Sequence, residues 1–450
     1  MNEPKYVLFI SYYFPPAGGP GVQRVTKFVR YLRELGWTPI VLVPENAQYQ
    51  ALDPSLEKEI PAGTIIRRTS IFEPHNLYKK FIGVSKDTAL DVNVNVRSGE
   101  KASLKKRFAS FIRSTFFVPD ARVGWIRSAV REGVKLTKEF PVSVIYTSSP
   151  PYSVALIGKK IAKRTGIPFV AGFRDPWSGF ESSTPERWFI PKAIDQKLEH
   201  SIFRDATMID VAWEGIALDA RGKYPELPRD KFVHIPNGFD SADFPEPDII
   251  KRAHRNRSEK FILTYSGSLY GPRNPASLFA ALNILLSNDR IDPKKITLRF
   301  VGRFSTEIHE MMAAPEIAPM IEKFDYVAHS KAVELVSDSD ALLLVVDDTP
   351  SVAEIVPGKV YEYLGAMRPM LAIAPPDGAI GRLLRETGGG IAVAAKDIEG
   401  QALAFKQLYD LWLSGASASS GMNFETIKQY ERREATRKLA EVFDNVTHKK

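Results

Sequence analysis

Two glutamates, Glu354 and Glu362, bracket the run Ile355-Val356-Pro357-Gly358-Lys359-Val360-Tyr361. A carboxylate accepts hydrogen bonds from hydroxyls, so one on each side of a turn can hold two hydroxyl-rich parts of a single ligand. Val356-Pro357-Gly358 reads as that turn, opening a helix that includes Tyr361–Ala366. The first N–H groups of a helix lack internal partners and favour phosphate, and Lys359 adds a positive charge beside them. The plain alternative is that Glu354 is a solvated loop acid and Glu362 a surface acid on the helix.

Two further clusters lie earlier in the chain. Ser11 to Gly21 carries Gly18, Gly19 and Gly21 between an apolar run and a helical pattern. Glycines there let backbone approach a ligand closely, and the following helix start favours an anion. The spacing is not the G-x-G-x-x-G of dinucleotide sites, so an ordinary strand-to-helix turn is the alternative. Phe173-Arg174-Asp175-Pro176-Trp177 closes another apolar run. Open α/β sheets bind ligands beyond the carboxyl ends of their strands, which makes Asp175 a candidate. Arg174 is placed to pair with it, and a pair that only fixes the loop is the competing reading. Asp120 and Trp125 read as structural.

These residues need rigid elements behind them. Val7–Ser11, Thr38–Val43, Val142–Thr147 and Phe169–Phe173 read as strands, with Val25, Phe28, Val29 and Leu32 on one face of a Val22–Leu35 helix. The pattern weakens over 64–103, which reads as an irregular insertion. Pro245-Glu246-Pro247-Asp248 and the basic polar run after it read as a linker over 245–260. Strands then return at Phe261–Ser266, Thr297–Val301, Ala341–Val346 and Met370–Ala374, with a helix over Pro275–Leu286. Helical patterns cover Ala402–Leu413, with Leu403, Phe405, Leu408 and Leu411 apolar, and Phe424–Val446. Strands alternating with helices predict parallel sheets in two α/β domains, 1–244 and 261–424, followed by a terminal helix over 425–450.

Composition sets the outer limits. The 450 residues hold 44% hydrophobic and 25% charged residues, which suits a chain with real cores. The absence of cysteine removes disulfides, thiolate metal sites and cysteine nucleophiles. No apolar run approaches the roughly 20 residues of a spanning helix, and no signal-peptide pattern opens the chain, so a cytoplasmic location is expected. The net charge of +8 favours acidic partners. The basic residues are dispersed and match no nucleic-acid-reading motif, so phosphorylated ligands or an anionic membrane surface are expected rather than nucleic acid. One stretch, 101–117, places Leu104, Phe108, Phe111 and Ile112 on one helical face beside Lys105, Lys106, Arg107 and Arg113. That is a membrane-surface pattern as well as the pattern of a packed surface helix.

The Glu354 to Glu362 cluster, with Lys359 and the following Tyr363-Leu364-Gly365-Ala366-Met367-Arg368-Pro369, resembles the donor-site motif of glycosyltransferase family 4. Phe14 to Gly36 resembles that family's glycine loop and first helix. Ile235-Pro236-Asn237-Gly238-Phe239-Asp240 resembles its Pro-Asn-Gly segment, and Thr264-Tyr265-Ser266-Gly267-Ser268-Leu269, with Arg273, the opening of its second domain. The resemblance implies a retaining GT-B transferase: two facing Rossmann-like domains, with the C-terminal helix returning to the N-terminal domain. It implies a nucleotide-sugar donor on the second domain, a glycan or lipid-linked acceptor on the first, and no metal or other cofactor. Glu362 would hold the ribose, Glu354 and Asp175 would face the transferred sugar, and Arg273 and Lys359 would neutralise the diphosphate. Gly18, Gly19, Gly267, Val327 and Gly358 would complete the donor site. The chain departs from the family pattern at Tyr270-Gly271-Pro272-Arg273, where lysine is usual nearby, and at Val327-Ala328-His329, where glycine is usual and His329 reads as a turn residue. A nucleotide-sugar epimerase of the same fold is the nearest alternative, and a basic nucleic-acid binder the alternative of another class.

Overall fold

The computed structural model describes residues 4–49, 52–72, 115, 117–178, 187–254, 258–347 and 353–448. The basic amphipathic stretch at 101–117 therefore lies almost wholly outside the described residues. The chain divides into two compact units, Met1–Pro236 with Ala435–Lys450, and Asn237–Glu434.

In the first unit, strands β1 (Lys5–Ser11), β2 (Trp37–Pro44), β3 (Ile65–Thr69), β4 (Val142–Ser149), β5 (Phe169–Phe173), β6 (Met208–Val211) and β7 (Phe232–His234) form one sheet. Their order is β3-β2-β1-β4-β5-β6-β7, and every pairing is parallel. Strands covered on both faces are apolar throughout, as Phe169-Val170-Ala171-Gly172-Phe173 shows with all five residues buried. One face is covered by the first helix, Pro20–Glu34, through Val25, Phe28, Val29 and Leu32, and by the final helix, Arg432–His448, through Leu439, Phe443 and Val446. β3 corrects the sequence reading, because it lies inside the stretch taken as irregular. An edge strand reading Ile-Ile-Arg-Arg-Thr is only half-buried and shows neither alternation nor a continuous apolar run.

The second unit repeats the architecture with β8 (Phe261–Ser266), β9 (Ile296–Val301), β10 (Ile321–Phe324), β11 (Ala341–Val345), β12 (Met370–Ile373) and β13 (Gly390–Val393). The order is β10-β9-β8-β11-β12-β13, again all parallel. Alternate residues of β11 serve opposite faces: Leu343 and Val345 join one core, Leu342 and Leu344 the other. The expected linker is not a free connector. Its Ile249–Ala253 helix buries Ile249 and Ala253 in the second of those cores. The Asn237 to Phe244 segment, expected in the first domain, belongs to the second unit, where Phe239 lies against Gly365 and its N–H donates to the Tyr430 carbonyl. The terminal helical stretch breaks into Phe424–Lys428 and Arg432–His448. Of the apolar positions read in the Ala402–Leu413 stretch, Leu403 is 64% exposed, while Phe405 and Leu408 are buried. No helix among the described residues is long and apolar enough to cross a membrane.

Candidate functional site

In the second unit the strand order reverses between β8 and β11, and a crevice opens beyond the carboxyl ends of such a strand pair. β8 ends at Ser266 and runs straight into Gly267, whose φ of +140 is open to glycine and strained for other residues. A Cβ on Gly267 would run into Lys359 Nζ, so glycine is also what leaves room for the lysine. Lys359 Nζ donates to the Ser266 carbonyl at 2.9 Å and to the Tyr265 hydroxyl at 3.3 Å, and lies 4.6 Å from the centroid of the Tyr265 ring. Beside it, Arg273 makes a two-pronged contact with Asp347 just beyond β11, at 3.1 and 3.0 Å.

Electrostatics follow from that crowding. Burial, and then the nearby positive charge of Arg273, pull the Lys359 ammonium down to about 8, with Glu362 and Asp347 only partly offsetting them. Burial also opposes the Arg273 charge, but Asp347 and the surrounding tyrosine hydroxyls outweigh it and raise its pKa. The site thus holds one fixed cation and one lysine that loses its charge as pH rises through about 8, and an added anion would hold the proton on Lys359.

The helix carrying Lys359 is Gly358–Gly365, with Pro357 at its N-cap and no side-chain cap, so its first amides stay available to a ligand. Tyr363, one turn on, fixes the helix to the strand by accepting a 2.8 Å bond from the Ser266 N–H. Glu362 projects from the same helix. Its charge reaches both Lys359 and His329, the first residue of the His329–Ser337 helix. His329 Nε2 lies 3.9 Å from Asp243 Oδ2, an ion-pair rather than a hydrogen-bond distance. Burial would lower the His329 pKa, but the pull of Asp243 and Glu362 outweighs burial and raises it. His329 is therefore part of an ionic cluster, more than the turn residue expected. Val327 stands two residues before it, half-buried. Glu354 pairs with Arg382 at 2.7 Å, both partly exposed.

The structure thus brings Gly267, Arg273, Gly358, Lys359 and Glu362 together at one sheet edge. It gives roles to Tyr265 and Tyr363, which sequence reasoning quoted only as members of longer motifs, and adds Asp347, Asp243 and Arg382, which it missed. No local pattern points to those three, and Arg273 and Asp347 are 74 positions apart. Among the described residues no group of His, Asp or Glu is arranged to hold a metal ion.

The remaining candidates belong to the first unit. Gly19, with φ of 104, is the N-cap of the Pro20–Glu34 helix, and Gly18 packs against Asp53. Asp175 is exposed at the end of β5. The expected Arg174–Asp175 pair does not form: Arg174 turns away and donates to the carbonyls of Gly21, at 2.8 Å, and Pro150. It thereby clamps the glycine loop, while Asp175, exposed at its surface, still has its carboxyl pKa raised by the protein packed around it, the nearby Arg174 charge offsetting this only in part. Asp120 is structural, accepting from the Ser153 N–H and hydroxyl at the start of the Ser153–Thr165 helix. Trp125 is buried, with its indole N–H on Thr69. Beneath the loop, buried Arg24 reaches Asp210 at 3.1 Å and the carbonyls of Pro236 and Ile235 at 2.9 Å, and Tyr146 donates to Asp210 at 2.7 Å.

No family model and no curated protein matches the chain. Solved structures do. A glycosyltransferase from Rickettsia africae ESF-5 is similar at a TM-score of 0.64 and 14% identity, over 98% of each chain. An E. coli structure described as trehalose-6-phosphate bound with UDP-2-fluoro glucose is similar at 0.61 and 12%, over 98% of this chain and 99% of that one. WaaG, a glycosyltransferase involved in lipopolysaccharide biosynthesis, is similar at 0.54 and 14%, over 97% and 99%. The two all-parallel α/β units of this chain, with the C-terminal helix joining the first, form the GT-B fold of these proteins.

Proposed function

We propose that this protein is a retaining glycosyltransferase, moving a sugar from a nucleotide-sugar donor to a glycan or lipid-linked acceptor in polysaccharide or glycolipid synthesis. One observation carries the reading: Lys359, Arg273 and the uncapped start of the Gly358–Gly365 helix converge at the switch point of the second sheet. A diphosphate suits that setting, and Glu362 on the same helix suits the ribose hydroxyls. Glu354, held by Arg382, faces the transferred sugar in this reading.

The chemistry follows from charge. Breaking the sugar–phosphate bond leaves a nucleoside diphosphate whose charge grows as the bond stretches. Arg273 and Lys359 oppose that charge from fixed positions, stabilising the transition state more than the ground state. Because these two cations do the work, the transfer needs no metal. Asp175, accessible on the first unit, is assigned to the sugar and acceptor side.

The test is product analysis with a panel of sugar nucleotides, with and without a lipid-extract acceptor. Sugar transferred only when acceptor is present, with the anomeric configuration kept, supports the proposal. A converted sugar released without acceptor points to the epimerase instead.

A further inference from the structure

The Phe189–Asp205 helix of the first unit has two unlike faces. Pro191, Asp195, Glu199, Ile202 and Phe203 are buried, with Phe203 packed on Phe173 of β5 and Phe232 of β7. The opposite face carries Phe189, Ile190, Ile194 and Lys197, with Lys192 on its flank. Phe189 is 74% exposed, and Ile190 and Ile194 are each 45% exposed. Trp188, at the N-cap, is 40% exposed and packs edge-on to Phe189 at 5.4 Å, with its indole N–H on Thr115. Large apolar side chains crowded into one short exposed stretch mark a contact surface rather than scattered surface residues.

Charge is sorted across the same helix. Its acids in this region turn inward: Asp195 accepts from the Trp177 indole and pairs with Arg187 at 3.2 Å, and Glu199 accepts from the Ser178 N–H and the Tyr224 hydroxyl. Lys192 and Lys197 turn outward. Over its N-terminal turns the outer face therefore carries apolar residues and cations but no acid; the exposed Asp205 lies at the far end, paired with Arg204. A bilayer bearing anionic headgroups complements both properties at once, apolar residues entering the interface and lysines meeting the headgroups.

Position gives the surface a purpose. Thr207, just past the helix, donates to the Phe169 carbonyl at the start of β5, so the helix runs back along the sheet. Its 17 residues span about 25 Å against roughly 17 Å for the five-residue strand. Trp188 to Ile194 thus lie at the carboxyl edge of the sheet, the edge that carries Asp175.

We infer that this face docks the protein on an anionic lipid bilayer, so that the acceptor is lipid-linked and reaches the Asp175 edge from the membrane. The acceptor half of this inference rests on the transferase reading; the docking half does not. The test is flotation of the full chain with vesicles of phosphatidylcholine, with and without phosphatidylglycerol, in the absence of any sugar nucleotide. The protein should float with anionic vesicles and not with neutral ones. The double variant Phe189→Glu/Ile194→Glu should reduce binding by about tenfold or more. Lys192→Gln and Lys197→Gln should each reduce it by about fivefold at low salt and weaken its salt dependence. Both sets should bind nucleotide as the parent does, which shows that they fold and reads the donor site separately. Absence of flotation with anionic vesicles overturns the inference, as a protein-docking face would give. So does unchanged flotation of the glutamate double variant, which would assign binding to another part of the chain.

Discussion

Nucleotide binding should take up a proton at alkaline pH, and Lys359 should be the group that takes it. Without ligand, burial and Arg273 hold its pKa at about 8. A diphosphate reverses the balance and should return the lysine toward its ordinary value of 10.5. Only the charged form suits the anion. Between pH 7 and 9 the charged fraction of free Lys359 falls from about nine-tenths to about one-tenth, so affinity should drop about tenfold, or ~1.4 kcal/mol. The sign is fixed: a lowered lysine pKa makes binding weaker as pH rises through about 8, never stronger. Calorimetry in buffers of different ionisation enthalpy should give uptake of about 0.9 proton per nucleotide at pH 9 and about 0.1 at pH 7. Lys359→Met should bind more weakly and abolish the uptake. No uptake at pH 9, or the same uptake in Lys359→Met, would refute the assignment of Lys359 to the diphosphate.

Three other outcomes follow from the geometry. Glu362→Ala should weaken nucleotide binding by about 1 to 3 kcal/mol, through loss of an acceptor for buried hydroxyls; unchanged calorimetric affinity with an intact fold removes Glu362 from the donor site. Gly267→Ala puts a side chain at φ +140 against Lys359 Nζ. It should lower thermal stability by about 1 to 3 kcal/mol and also weaken nucleotide binding, whereas a loss of stability alone would show that the lysine does not meet the ligand. Arg24→Met leaves Asp210 buried without its cation and should destabilise the fold by about 3 to 5 kcal/mol in denaturant titration; a midpoint close to the parent's would show that the pair contributes little.

The strands that lead into the candidate residues were legible because both of their faces are covered. Phe261–Ser266 and Phe169–Phe173 come out with the boundaries their apolar runs predict. β3 was not legible, since an edge strand with Arg67 and Arg68 has no apolar face to display. The candidate site was named from residue types, and the structure brings Glu362, Lys359, Arg273 and Gly267 of that set near one another while Glu354 pairs with Arg382. Their partners were not legible, because ion pairs such as Arg273–Asp347 and Arg24–Asp210 join residues 74 and 186 positions apart. Adjacent residues also misled, since Arg174 beside Asp175 reads as a pair until the carbonyls of Gly21 and Pro150 claim the guanidinium. The lowered pKa of Lys359 likewise belongs to the packing of Tyr265, Ser266 and Arg273 around it and to nothing in its neighbours along the chain.

The central claim is that the second unit holds a sugar nucleotide. The most direct measurement is thermal denaturation of the full chain against a panel of sugar nucleotides, with Glu362→Ala alongside. At least one nucleotide should raise the midpoint, in line with about 2.7 kcal/mol of stabilisation at roughly one hundred times its dissociation constant, and Glu362→Ala should require a higher concentration for the same shift. If no member of the panel moves the midpoint of the parent protein, or if the parent and Glu362→Ala respond identically, the donor site does not lie where the Glu354 to Glu362 segment places it.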